Sequence, residues 1–207
     1  MAEYHKLIRK EIGEESTYKK GYLITEFNKA KSRLKERKRL SSIAPDFKER
    51  GPFNVPGRSR GIAIDPTNEN RWYVGTVGGG VWLTENSGST WTNLTDFQVP
   101  NLATSTIVIS KNDPNTLYVG TGEPFGHIDA IGGAGVYKTI DAGTTWEHLT
   151  NTTSFGSVGR IIINPGDKNN VLVGTTGGIY KTTDGGVSWT QTYVSSGTVQ
   201  DLDTDPT

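Results

Sequence analysis

The sequence contains no cysteine. That absence removes disulfides, thiolate metal sites and cysteine nucleophiles together, and leaves the redox compartment open. Long apolar runs are missing too. Met1–Lys10 has no hydrophobic h-region, and no later segment approaches about 18 consecutive apolar residues, so neither a signal peptide nor a membrane span is expected. The chain is then either cytoplasmic or the mature form of an exported protein. Hydrophobic residues make up only 33%, while glycine numbers 26, so the core must be assembled from thin elements joined by many turns. Such a composition points to short strands.

Net charge is zero, but it is unevenly spread. Residues 1–50 hold 14 Lys/Arg against 8 Asp/Glu, and residues 51–207 hold 8 against 14. A compositional boundary therefore falls near Gly51, separating a charged helical leader (1–50) from the rest (51–207). In the leader, Tyr4, Leu7, Ile8 and Ile12 fall on one face of a short helix ended by Gly13. A second helix is predicted from Tyr22 to Leu40, with Leu23, Phe27, Ala30 and Leu34 on a shared face. Its other faces carry Lys29, Lys31, Arg33, Lys35, Arg37, Lys38 and Arg39. Two readings stand, an electrostatic patch for an anionic partner or a solvated helix packing a narrow stripe on the next domain. No aromatic residue is interleaved among Lys29–Arg39 to stack a base, which favours the second and argues against nucleic acid. Ala44–Pro45 and Gly51–Pro52 mark the linker.

From residue 51 the chain repeats. Ile62–Thr76 (IAIDPTNENRWYVGT), Ile107–Thr121 (IVISKNDPNTLYVGT) and Ile161–Thr175 (IIINPGDKNNVLVGT) align without gaps. Each is a β-branched strand, a polar turn and a second strand ending in Gly-Thr, the pattern of an antiparallel hairpin. A second unit follows in each copy: GGVWLT at Gly79–Thr84, GAGVYKT at Gly133–Thr139 and GGIYKT at Gly177–Thr182. It leads into Thr84–Trp91 (TENSGSTW), Thr139–Trp146 (TIDAGTTW) and Thr182–Trp189 (TTDGGVSW). Here an Asx residue (Asn86, Asp141, Asp184) precedes a tryptophan (Trp91, Trp146, Trp189) by five positions, with a glycine (Gly88, Gly143, Gly186) two after the Asx. The expectation is a staple: the Asx accepts backbone N–H bonds of its own turn, the glycine takes positive φ, and the indole folds into the apolar layer. Each copy is thus a four-stranded antiparallel unit. The copies start 45 and 54 residues apart, and a fourth begins at Leu202. That period is the blade signature of an all-β β-propeller, here three complete blades and a fourth only begun.

S/T-x-D-x-G-x-T/S-W resembles the Asp box, or bacterial neuraminidase repeat. Gly51–Asn68 and Tyr73–Trp82 resemble sortilin-type and xyloglucanase-type propellers, and most resemble secreted propeller proteins of Bacteroidetes. The resemblance implies an extracellular or cell-surface protein. Propellers close with typically 4–8 blades, so the remaining blades are expected from a longer polypeptide or from partner chains.

In such propellers ligands meet the channel mouth. Arg58, Arg60 and Arg160 stand at or just before the first strand of their blades, where guanidiniums could hold a carboxylate or sulfate, or pair with turn carboxylates. The second blade carries an insertion, Glu123–Gly135 (EPFGHIDAIGGAG). Loops that depart from a repeat are where function is grafted. Its Glu123, His127 and Asp129 could do acid–base work or bind a cation, or the loop could simply pack Phe125 and Ile128 over its neighbour. The spacing matches no metal motif, and no cofactor is implied.

Sialidases of this fold open with Arg-Ile-Pro, whereas this chain has Arg60-Gly61-Ile62. Xyloglucanase-type enzymes carry an acid in T-D-V-G-G, whereas Thr76–Gly80 reads T-V-G-G-G with Val77 in its place. Glycoside hydrolysis needs two placed carboxylates, so no catalytic residue is assigned. The main expectation is a non-catalytic module binding protein or glycan. The alternatives are a glycoside hydrolase with blades beyond this chain, and an assembly-factor propeller docking a partner through its arginines. Asn93-Leu94-Thr95 and Asn151-Thr152-Thr153 match the glycosylation sequon, a pattern common by chance in Thr/Asn-rich loops.

Overall fold

The computed structural model describes residues 22–40, 57–125 and 130–204. The expected first helix, the boundary at Gly51, His127 and Asp129 all lie outside the described residues. Helix α1 spans Tyr22–Leu40, the predicted bounds. Its contact with the β-domain is made through Ile24, which packs against the core shared by the first two blades. Of the predicted stripe, Phe27 is half-buried and Ala30 is exposed. Lys29 and Lys31 are engaged on the helix itself, with Glu26 at 2.7 Å and over the Phe27 ring at 5.8 Å.

The rest is three four-stranded antiparallel sheets, each made of consecutive strands. The first blade comprises β1 (Ser59–Asp65), β2 (Asn68–Thr76), β3 (Gly80–Thr84) and β4 (Thr92–Asn93). The second comprises β5 (Thr104–Ile109), β6 (Leu117–Thr121), β7 (Val136–Thr139) and β8 (Glu147–His148). The third comprises β9 (Val158–Asn164), β10 (Asp167–Thr175), β11 (Gly178–Thr182) and β12 (Thr190–Val194). The gapless repeat is reproduced as register: Val74 faces Ile62, Val119 faces Ile107 and Val173 faces Ile161. These are propeller blades.

Period-two alternation assigns the two faces of each sheet to opposite neighbours. Ala63, Tyr73 and Val81 of the first blade meet Ile107, Leu117 and Val119 of the second in one apolar layer. Tyr118 and Val136 of the second meet Ile161, Val171 and Val173 of the third in another. Inner strands come close enough that side chains must vanish from the facing blade. A Cβ on Gly75 would lie 2.4 Å from Thr104, one on Gly120 2.5 Å from Val158, and one on Gly174 2.8 Å from Val199. Thr104, Val158 and Val199 are equivalent in the repeat, so the fourth copy starts in register. No strand is assigned to residues 195–204.

A short 3₁₀ helix at Thr150–Phe155, which the sequence pattern did not suggest, interrupts the path into the third blade. It presents Phe155, stacked at 4.0 Å on Tyr180 and edge-on to Trp189 at 5.5 Å.

Candidate functional site at the channel mouth

The three Asx turns share one hydrogen-bond pattern. Asn86 Oδ1 accepts the Thr90 N–H at 2.9 Å, Asp141 Oδ1 that of Thr145 at 2.8 Å, and Asp184 Oδ1 that of Ser188 at 2.9 Å. Gly88, Gly143 and Gly186 have φ of 90°, 90° and 100°. The hub missed by sequence reasoning is the threonine two residues before each Asx. Thr139 donates to Asp141 at 2.7 Å and accepts the Gly143 N–H at 2.9 Å, and Thr84 and Thr182 do the same in their turns. These bonds hold the carboxyls of Asp141 and Asp184 below the ordinary range, the hydroxyls of Thr145 and Ser188 contributing most. Trp146 and Trp189 pack into the apolar layers as expected. Trp91 instead stays 40% exposed, because no described blade covers that face of the first sheet.

The β2–β3 connection and the lead-in to β1 are tied together, with Val77 N donating to Arg58 O at 2.9 Å. Val77, in the place where the resemblance expects an acid, thus sits beside Arg58. The Arg58 guanidinium lies 2.9 Å from Glu123 Oε1 of the second blade's insertion. This is an ion pair rather than an aligned hydrogen bond, since that oxygen has no bond of good geometry. The two ends differ sharply: Glu123's side chain is 3% exposed and Arg58's 56%.

Glu123 also closes its own loop. Its N–H donates to Ile131 O at 2.8 Å, and its Oε2 accepts the Ile131 N–H at 3.1 Å. Asn101 pins the far limb by donating to Gly132 O at 2.7 Å. Beside this pair, the Arg60 guanidinium lies 4.4 Å over the Phe125 ring, a stacked cation–π contact. The loop therefore bridges the first and second blades through two arginines of β1 and its lead-in.

Arg160 does not join them. It pairs with Asp201 at 3.5 Å, both side chains being largely exposed. The three guanidiniums thus serve three different partners and form no common anion site. Among the described residues no group of three His, Cys, Asp or Glu gathers to hold a cation. Both sequon asparagines are engaged internally: Asn93 donates to Gly79 O, and Asn151 to Gly186 O and Val187 O. Arg58, Arg60 and Phe125 together form a cationic, partly aromatic lip with the buried Glu123 carboxylate behind it. Such a lip can donate hydrogen bonds to hydroxyls and present a ring face.

No family model matches the chain. It is 28% identical over 99 residues to an oligoxyloglucan-reducing end-specific xyloglucanase of Emericella nidulans, covering 45% of this chain and 11% of that protein. It is 32% identical over 117 residues to the xyloglucanase Xgh74A of Acetivibrio thermocellus, covering 45% of this chain and 13% of that protein. The fold matches the crystal structure of the Niastella koreensis GH74 enzyme with a TM-score of 0.53 at 24% identity, over 64% of this chain and 22% of that one. The chain therefore spans about an eighth of the curated relatives it matches. Its fold is that of β-propeller blades, similar to those of the GH74 enzymes. Among the described residues no helix is long and apolar enough to cross a membrane.

Proposed function

We propose that these blades belong to an exported glycoside-hydrolase-type propeller that takes a β-glucan chain, and that the mouth formed by Arg58, Arg60 and Phe125 is part of its glycan-binding surface. The observation that carries this is the sequence similarity to xyloglucanases at 28–32% identity. It supports the glycosidase-related alternative better than the unrelated binding module that composition and motifs alone favoured. Sugar recognition needs ring faces and hydrogen-bond donors together, and Arg60 over Phe125 supplies both in one place.

Binding and hydrolysis separate in this chain. Hydrolysis requires a placed acid and a second carboxylate. Val77 occupies the motif position for one, and Glu123 is engaged with Arg58 and Ile131. That substitution favours a second reading in which these blades grip the glycan without cleaving it.

The test is calorimetric titration of the 207-residue chain with a xyloglucan oligosaccharide, run beside a reducing-sugar assay on xyloglucan. Saturable binding that weakens in Arg60→Ala, with no sugar release, is the expected result. Absence of binding by a folded chain removes the glycan reading, and release that Glu123→Gln abolishes would make the site catalytic.

A further inference from the structure

Phe97 stands in the connection between the first and second blades and is 81% exposed. Its backbone φ is 65°, in the left-handed region that a bulky side chain rarely occupies. Among the described residues, the other non-glycine residues at positive φ are Ser87 and Ala142, both small and both in Asx turns. A large apolar ring is therefore held on an unfavourable backbone and turned to water, with no gain in packing. The seam lies between two described blades, so this exposure does not arise from an uncovered sheet face.

The corresponding connection between the second and third blades shows that the fold requires neither feature. Leu94 and Leu149 open the two connections alike, their N–H groups donating to Val81 O at 2.9 Å and Val136 O at 3.0 Å. The second connection uses glycine as its left-handed residue, Gly156 at φ 72°, and buries its phenylalanine, Phe155. In the first connection it is Val99 that goes inward, into the apolar layer shared by the first two blades. The core position is thus filled, and Phe97 is not a core residue out of place.

The turn that presents the ring is firmly braced. Asn93 Oδ1 accepts the N–H groups of Thr95 at 2.9 Å and Asp96 at 2.8 Å. Thr95 O accepts those of Gln98 and Val99, both at 3.0 Å. The Gln98 amide donates to Leu94 O and, across the seam, to Thr144 O, each at 3.1 Å. Beside the ring, the exposed Asp96 carboxylate makes no hydrogen bond or ion pair among the described residues. A fixed ring next to an unused acceptor suits the apolar face and the hydroxyls of a sugar. A protein partner would need a contiguous patch of about 800 Å² on this side, whereas Phe97 is flanked by Asp96 and Gln98.

We propose that Phe97 and Asp96 form a second glycan contact, a platform on which a longer stretch of the ligand of the mouth stacks. This rests on the glycan reading above and adds residues that the lip of Arg58, Arg60 and Phe125 does not include.

The test titrates the full chain calorimetrically with a xyloglucan polymer and, separately, with a xyloglucan oligosaccharide. Phe97→Ala should lower affinity for the polymer about tenfold and leave that for the oligosaccharide within about twofold, since only the longer chain engages both contacts. Phe97→Trp should keep polymer binding. Phe97→Asn should lose it as Phe97→Ala does while raising the urea midpoint, because asparagine accepts a left-handed backbone. That rise separates a ligand-binding ring from a structural one. Polymer affinity unchanged by Phe97→Ala, or a urea midpoint lowered by Phe97→Asn, overturns the proposal. Equal losses for both ligands also overturn it, because the ring would then belong to the mouth. A folded wild type that binds neither ligand removes the glycan reading itself and this proposal with it.

Discussion

Removing the Arg58 side chain leaves the buried Glu123 carboxylate without its counter-charge, and the size of the effect follows from the asymmetry of the pair. At 2.9 Å, two unit charges attract by about 1.4 kcal/mol at the dielectric constant of water and about 6 kcal/mol at an effective value of 20. Arg58 is 56% exposed, so solvent screens the pair towards the lower limit. Glu123 is 3% exposed and, among the described residues, keeps only the Ile131 N–H when the guanidinium goes. Arg58→Ala should therefore cost about 1–2 kcal/mol, most of it the stranded charge rather than the lost attraction. Glu123→Gln preserves an acceptor for Ile131 and removes the charge, so Arg58→Ala in that background should cost about half as much or less. Urea unfolding followed by tryptophan emission, compared at equal slope, gives these values. About 1 M NaCl should shrink the Arg58→Ala loss. A loss under about 0.3 kcal/mol, or strict additivity of the two substitutions, would refute the view that this pair anchors the insertion to the first blade.

Other consequences follow from single groups. Tyr137 buries its hydroxyl without a hydrogen-bond partner, so Tyr137→Phe should leave the thermal midpoint unchanged or raise stability by up to about 1 kcal/mol, and a clear loss would reveal a partner. Gly88 and Gly143 share φ of 90°, but an added Cβ meets its nearest atom at 3.6 Å in the first and Leu94 at 2.6 Å in the second. Gly88→Ala should cost about 1 kcal/mol for the backbone alone, and Gly143→Ala about 2–3, both read from denaturation. The lowered carboxyls of Asp141 and Asp184 bind protons more readily in the unfolded chain. Their stabilisation is thus present above the unfolded value and lost as pH falls through the folded one. Acid unfolding should steepen below about pH 4, and Asp141→Asn should flatten it while Asn86→Ala, a turn with no titrating group, should not change its slope.

The blades were legible because three copies of one pattern sit in one chain. The Ile62, Ile107 and Ile161 alignment carried strand register, turn position and even the placement of Val199. Helix α1 was equally readable from its apolar spacing, although Ile24, outside the predicted stripe, packs on the core and Ala30 of the stripe is exposed. The mouth was less legible for a physical reason: its contacts run between blades and are not periodic. Arg58, Arg60 and Glu123 were singled out individually, but nothing in the spacing pairs Arg58 with Glu123 across 65 positions or lays Arg60 over Phe125. Of the two readings left open for Arg58, Arg60 and Arg160, the ion pairs of Arg58 with Glu123 and Arg160 with Asp201 match pairing with carboxylates rather than a shared anion site. The Trp72 face is readable from the repeat, since Trp72 aligns with the buried Leu117 and Val171, and Trp82 with the buried Tyr137 and the half-buried Tyr180.

The central functional claim is that a glycan meets this propeller at the lip of Arg58, Arg60 and Phe125. A crystal structure of the chain soaked with a xyloglucan oligosaccharide tests it most directly. The account predicts sugar density against Arg60 and Phe125. Density elsewhere on the chain and none against these two residues, in a chain that binds the sugar in solution, would contradict it.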